Sequence, residues 1–262
     1  MKKKILKFIF QHPHIYSLYL SARNFDARTF FSIKSYHIKD VVICGMPRSG
    51  STLLFNIIKE MLRLHYTKID PYFINDKQYN KLLKSEISLV VKKNHRYSPL
   101  LKKRIMKELS IGFFTHRDIR DVVVSLKQKG RIPDFDKWAD RGRLRKIVND
   151  ALLYAGTRKV TMIEYEQLLN QKKNVIDQLE KMLKFRLTDE EKESIIQNTD
   201  IDKTKKMLES RNESGQIDYS NHLHQNHISD GKVGKWKDLL TDDEIIRINN
   251  EAKDFLNLFN YK

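Results

Sequence analysis

Short apolar runs alternate along this chain with longer stretches of helical periodicity, in the order β then α, repeated. Val41, Val42, Ile43 and Cys44 form a run that stops at glycine and proline, as a buried parallel strand does. Residues 51–64 follow, with Leu53, Leu54, Ile57, Ile58, Met61 and Leu62 at helical spacing. Further strands are predicted over 87–91, 111–115 and 160–163. Helices are predicted over 100–109, 118–129, 136–154 and 175–185. A last helix over 242–258 has Ile245, Ile246, Ile248, Phe255 and Leu256 to bury. Short strands separated by helices imply a parallel sheet covered on both faces, with ligands bound at the carboxyl ends of the strands.

No repeat or low-complexity linker divides the 262 residues, so 1–262 reads as a single domain. Residues 1–39 form an expected N-terminal helical extension. The polar stretch 203–230, with His222, His224 and His227, reads as a lid or loop. Those histidines lack a cysteine or carboxylate pair at a recognised spacing, so no metal site is assigned to them. The apolar part of residues 1–10 is interrupted by Lys7 and too short to span a bilayer, which needs about 20 apolar residues. Ile5, Phe8, Ile9, Tyr16 and Leu20 can share one side of a helix, packed on the domain or laid peripherally on a membrane surface.

Composition narrows the class without choosing a partner. Hydrophobic residues make up 40% and charged residues 32%, as in a globular chain. A formal charge of +17 suits polyanions, whether nucleic acid, an anionic membrane, or phosphorylated and sulfated small molecules. The one cysteine, Cys44, excludes an intramolecular disulfide and suits a reducing cytoplasm, with the inner membrane surface as a second location.

The chemistry concentrates at two strand ends. Gly45-Met46-Pro47-Arg48-Ser49-Gly50-Ser51-Thr52 joins the first strand to the first long helix. Successive backbone N–H groups in such a turn converge on an anion, and the helix dipole adds to them. Two glycines five apart before a hydroxyl residue match the P-loop spacing, which makes a P-loop-type three-layer α/β fold the expected class. Ser51 stands where an ATPase has its lysine, and the loop's cation is Arg48 instead. The second strand end is His116-Arg117-Asp118-Ile119-Arg120-Asp121-Val122-Val123-Val124-Ser125. Here Arg117 and Ser125, two helical turns apart, can meet one anion together; the alternative pairs Arg117 with Asp121 at the surface.

Pro47-Arg48-Ser49-Gly50-Ser51-Thr52 resembles the 5'-phosphosulfate loop of sulfotransferases that use 3'-phosphoadenosine 5'-phosphosulfate (PAPS). Arg48 and Leu53 look more like the carbohydrate and bacterial branches than the cytosolic small-molecule members. The resemblance implies that Arg117 and Ser125 hold the donor's 3'-phosphate. Glu164-Tyr165-Glu166-Gln167-Leu168 resembles the family's Tyr-Glu-x-Leu segment. Gly231-Lys232-Val233-Gly234-Lys235-Trp236 resembles the Gly-x-x-Gly-x-Trp segment that closes over the donor, with Ser229-Asp230 where cytosolic members have Arg-Lys. Lys232, Val233 and Gly234 are accordingly donor-binding candidates.

The implied activity is transfer of a sulfuryl group from PAPS to a hydroxyl, or less readily an amine, of a carbohydrate or glycolipid, leaving adenosine 3',5'-bisphosphate. No metal is required and nucleic acid is not a partner. By resemblance to a Lys-Thr-His segment, Lys93-Asn94-His95 supplies His95 as general base, and Lys93 or Lys92 is the candidate to support the leaving group. Carboxylates at Glu60, Asp70 or Asp76 are the alternative base. A small-molecule kinase using ATP and a non-catalytic polyanion-binding protein are the competing readings.

Overall fold

The computed structural model describes residues 40–64, 69–72, 89–203 and 232–262, with Ile15 alone before them. The expected N-terminal extension, the stretch 204–231, Asp76 and the three histidines of that stretch lie outside the described residues.

Five strands form one parallel sheet: β1 (Asp40–Gly45), β2 (Ile69–Tyr72), β3 (Leu89–Asn94), β4 (Ile111–His116) and β5 (Val160–Glu164), in the order β2-β3-β1-β4-β5. β1 is central and buried along its whole length, because both faces are covered and both of its neighbours are paired. Its pleat divides the core. Val41 and Ile43 pack with Phe113 and Ile163 against α1 (Ser51–Arg63), through Leu54, Phe55, Ile57 and Ile58. Val42 and Cys44 face the other way and pack with Phe114 against Val122, Val148, Tyr154 and Phe255. Three layers result, as the β-α order predicts.

The remaining helices of the described residues follow in chain order: α2 (Pro99–Met106), α3 (Ile119–Gln128), α4 (Phe135–Asp140), α5 (Arg143–Ala155), α6 (Tyr165–Asn170), α7 (Lys172–Leu183), α8 (Asp189–Asn198), α9 (Trp236–Leu239), α10 (Asp242–Glu251) and α11 (Lys253–Leu258). Three differences from the sequence reading have local causes. The helix expected over 136–154 is two, because Gly142 takes a left-handed conformation (φ 70°) between α4 and α5. The last helix also breaks at Ala252, where the backbone leaves helical geometry (φ −112°) and Phe255 and Leu256 are buried beyond the break. The strand read over 87–91 runs instead to Asn94, since ladder pairing with β1 carries Lys92 and Lys93 into the sheet despite their charge. The edge strand β2, four residues with a central proline, carries too little pattern to be read at all.

Below the sheet's amino end, Asp40 and Arg104 form a fully buried ion pair at 2.6 Å. The same guanidinium donates to Ser110 Oγ and Leu109 O, so the hydrogens on Nε and Nη2 are met as well as the charge. That cluster fixes the starts of β1 and β4 and leaves the opposite ends for chemistry.

Candidate active site

The carboxyl ends of β1, β3, β4 and β5 deliver Gly45, Asn94, His116 and Glu164 to one edge of the sheet. Beyond β1 the chain turns sharply. Met46 N donates to Thr115 O, and Ser49 Oγ sits 2.7 Å from Met46 O and 2.7 Å from Thr115 Oγ1, which binds the loop to β4. A Cβ at Gly45 would collide with the Thr115 hydroxyl. Gly50 has φ 80°, and a Cβ there would meet the Tyr165 ring at 2.8 Å, so both glycines are required by space and Gly50 also by conformation. No side chain caps α1, which leaves its first-turn N–H groups directed into the loop.

Arg48 adopts φ 64°, a left-handed conformation that a non-glycine residue takes only at a cost of about 1–3 kcal/mol. The turn throws its side chain across to α3, where Nε donates to Ser125 Oγ at 2.9 Å. Burial, with Arg117 adding repulsion, pulls the Arg48 pKa below the usual arginine value, while Tyr165 acts the other way. Ser125 thus meets the cation of the first loop directly, a link that the sequence spacing does not reveal.

Lys93, 3% exposed at the end of β3, points its ammonium at Thr52 Oγ1, 2.5 Å away. Burial and then the charge of Arg48 lower its pKa to about 8. Two residues on, His95 places Nδ1 3.1 Å from Gly45 O. Burial, followed by the Lys93 charge, lowers its pKa to about 4, so the ring is neutral near pH 7. A neutral imidazole facing a carbonyl through Nδ1 carries its proton there, and the basic lone pair is then on Nε2.

The loop that carries His95 is framed by α5. Tyr97 N donates to Asp150 Oδ1, Ser98 N donates to Tyr154 Oη, and Tyr154 Oη donates to Arg96 O. Neither Asp150 nor Tyr154 stands out in the sequence, because both sit on the helical face that packs on β4.

Arg117 is buried where β4 ends. Its Nη2 pairs with Asp121 at 3.2 Å and donates to Lys232 O at 2.7 Å, and its guanidinium lies 4.4 Å from the centre of the Tyr165 ring. The pairing with Asp121 weighed from the sequence is therefore present, but inside the protein and not on its surface. Arg117 Nε is buried and has no hydrogen-bond partner among the described residues. Lys232, Val233 and Gly234 stand next to it, held by backbone groups; Val233 is exposed.

The carboxylate alternatives are placed differently. Glu60 pairs with Arg63, nine residues along α1 from Ser51, about 13 Å down the helix axis from the loop. Asp70 lies in the edge strand β2, two strands from β1. Among the described residues, no group of His, Cys, Asp and Glu side chains is disposed to hold a metal ion. No helix among them is long and apolar enough to cross a membrane.

Solved structures share this fold. The mouse sulfotransferase SULT7A1 complexed with PAP superimposes with a TM-score of 0.62 at 17% identity, over 85% of this chain and 84% of that one. Retinol dehydratase in complex with androsterone and inactive cofactor PAP gives a TM-score of 0.58 at 18% identity, over 84% and 81%. No curated protein sequence matches the chain. The family model described as "Sulfotransferase domain" matches residues 38–255, which takes in every described strand and both the 45–52 loop and the 116–125 segment. The chain therefore belongs to the sulfotransferase domain family, the PAPS-dependent enzymes that its 45–52 loop and its Arg117/Ser125 pair resemble.

Proposed function

We propose that the chain transfers a sulfuryl group from PAPS to a hydroxyl of a carbohydrate or lipid-linked acceptor. The observation that carries the donor side is Arg117 Nε, a buried cationic donor without a partner among the described residues. Such a group costs about 1–3 kcal/mol unless an acceptor satisfies it. A phosphate does so, and the loop 45–52 at the neighbouring strand end offers a second anion its amides, Arg48 and Lys93. Two anion sites joined through Arg48 and Ser125 fit a nucleotide phosphorylated at both its 3' and 5' positions.

When bound, the donor supplies the activated sulfuryl group; everything else falls to the residues. Pro47, Ser49, Gly50, Ser51 and Thr52 shape the cradle at its 5' end, with backbone N–H groups aimed inward. Arg48 and Lys93 place two cations beside that cradle, where negative charge builds as the sulfuryl group departs. Arg117 and Ser125 hold the 3' end, with Lys232, Val233 and Gly234 alongside. His95, neutral and basic at Nε2, takes the proton of the acceptor hydroxyl. This electrostatic division of labour operates without a metal.

The basic cradle and the Arg48/Leu53 choice support a polar, hydroxyl-bearing acceptor over a small phenol. A reducing cytoplasm, with the inner membrane surface as an alternative, is the proposed setting, and nucleic acid has no part in it.

Titration of adenosine 3',5'-bisphosphate, ADP and Mg-ATP against wild type, Arg48→Ala and Arg117→Ala, followed by thermal shift, tests the donor assignment. The bisphosphate should stabilise wild type most, with each substitution weakening it at least about tenfold. Equal stabilisation by ADP, with no effect of Arg117→Ala, would point to a kinase. Sulfate transfer to a panel of oligosaccharide and phenolic acceptors tests the acceptor class.

A further inference from the structure

Asp121 sits in the first turn of α3 with none of its side chain exposed, yet it does more than balance Arg117. Oδ2 accepts from Arg117 Nη2 at 3.2 Å and from the backbone N–H of Gly234 at 2.8 Å, and Oδ1 accepts from the N–H of Trp236 at 3.2 Å. Arg117 Nη2 in turn donates to Lys232 O at 2.7 Å. One carboxylate and one guanidinium therefore form a closed ring with a segment more than a hundred residues away in sequence. On its flank, Arg120 is held bidentately by Asp118 and lies 3.9 Å from the centre of the Trp236 ring.

The ring has mechanical consequences. Asp121 and Lys232 O both engage Nη2, which fixes the plane of the guanidinium and the direction of its remaining buried donor, Nε. The segment has only backbone groups on the carboxylate, so its docking depends on Asp121 keeping its charge and position. Gly234 has φ 78°, and among the described residues nothing lies near its missing Cβ, so its conformation selects glycine there.

We infer that Asp121 is a positioning residue that makes anion recognition at Arg117 and docking of segment 232–236 a single event, and so selects nucleotides with a 3'-phosphate over those without one. The inference rests on the reading that Arg117 meets the donor's 3'-phosphate.

Calorimetric titration of the full chain with adenosine 3',5'-bisphosphate and with AMP separates the two claims. Wild type should prefer the bisphosphate; if it binds AMP equally well, the donor reading fails and this inference with it. Asp121→Asn should weaken the bisphosphate at least about tenfold and shift AMP by less than about threefold. Equal weakening of both ligands, or of neither, overturns the positioning role while leaving the donor reading in place. A second measurement needs no variant: trypsin cleavage of wild type at Lys232, Lys235 and Lys237 should slow at least about tenfold with saturating bisphosphate and little with saturating AMP. Equal protection by the two nucleotides, or none by the bisphosphate, again overturns the coupling.

Discussion

Lys93 carries a charge that the free protein accommodates poorly, and this makes a measurable prediction. Burial and Arg48 together lower its pKa from 10.5 to about 8. At about 1.4 kcal/mol per pKa unit, keeping the ammonium charged in that position costs on the order of 3 kcal/mol relative to water. An anion brought between Arg48 and Lys93 removes much of that cost and returns the pKa toward the ordinary lysine value. Binding above neutrality must therefore take up a proton. With a free-state pKa near 8, uptake rises from about 0.2 proton at about pH 7.5 to about 0.9 at about pH 9. The nucleotide's own phosphates, with second pKa values near 6, are already ionised over that range and contribute little. Calorimetry in two buffers of different ionisation enthalpy reads the uptake directly, and Lys93→Met supplies the control. In wild type the affinity should fall as pH rises through about 8, since the charged lysine becomes the minor form. Absence of uptake at about pH 9, or as many protons taken up by Lys93→Met as by wild type, would rule out Lys93 as the titrating group.

Other consequences concern the frame around the site. Gly50→Ala forces a Cβ toward Tyr165 at a left-handed φ, and should lower stability by about 1–3 kcal/mol in urea unfolding while weakening nucleotide binding. Asp40→Ala strands Arg104 in the interior and should cost about 3–5 kcal/mol in the same assay, with nucleotide affinity unchanged because the pair lies at the opposite end of the sheet. His116 is buried against Phe259 and Tyr261 with its pKa lowered by burial to about 4. Unfolding lets it bind a proton below about pH 6.5, so on the order of 3 kcal/mol of stability is lost between about pH 6.5 and 4, and His116→Gln should flatten that part of the acid-unfolding curve. Tyr154→Phe removes the hydroxyl that accepts from Ser98 N and is one of two donors to Arg96 O, beside Asn94 Nδ2; turnover should fall about tenfold through misplacement of the His95 loop, with the KM for donor little changed.

Much of this protein is determined by sequence alone. Val41 to Cys44 reads as a buried strand, Gly45 to Thr52 as a turn back into a helix, and the alternation of such units predicts the parallel sheet that the structure shows. These are local facts: a strand needs a run of apolar residues, and a phosphate turn needs glycine at fixed places. The family match over residues 38–255 follows the same local signals.

What only the tertiary structure decides is which distant groups share a charge or a hydrogen bond. Nothing in the spacing of Arg48 and Ser125 places them 2.9 Å apart, since the contact arises from the left-handed turn at Arg48 and the pairing of β1 with β4. The pKa values of Lys93 and His95 are lowered because the end of β3 and the loop after it bury them beside one another and Arg48. Asp121 reads in sequence as a helical ion-pair partner four residues from Arg117. In the fold it is also the anchor of a segment that begins at Lys232. The sulfuryl-transfer chemistry belongs to motifs, but the electrostatics that would drive it belong to contacts between residues far apart in the chain, where burial makes each charge count.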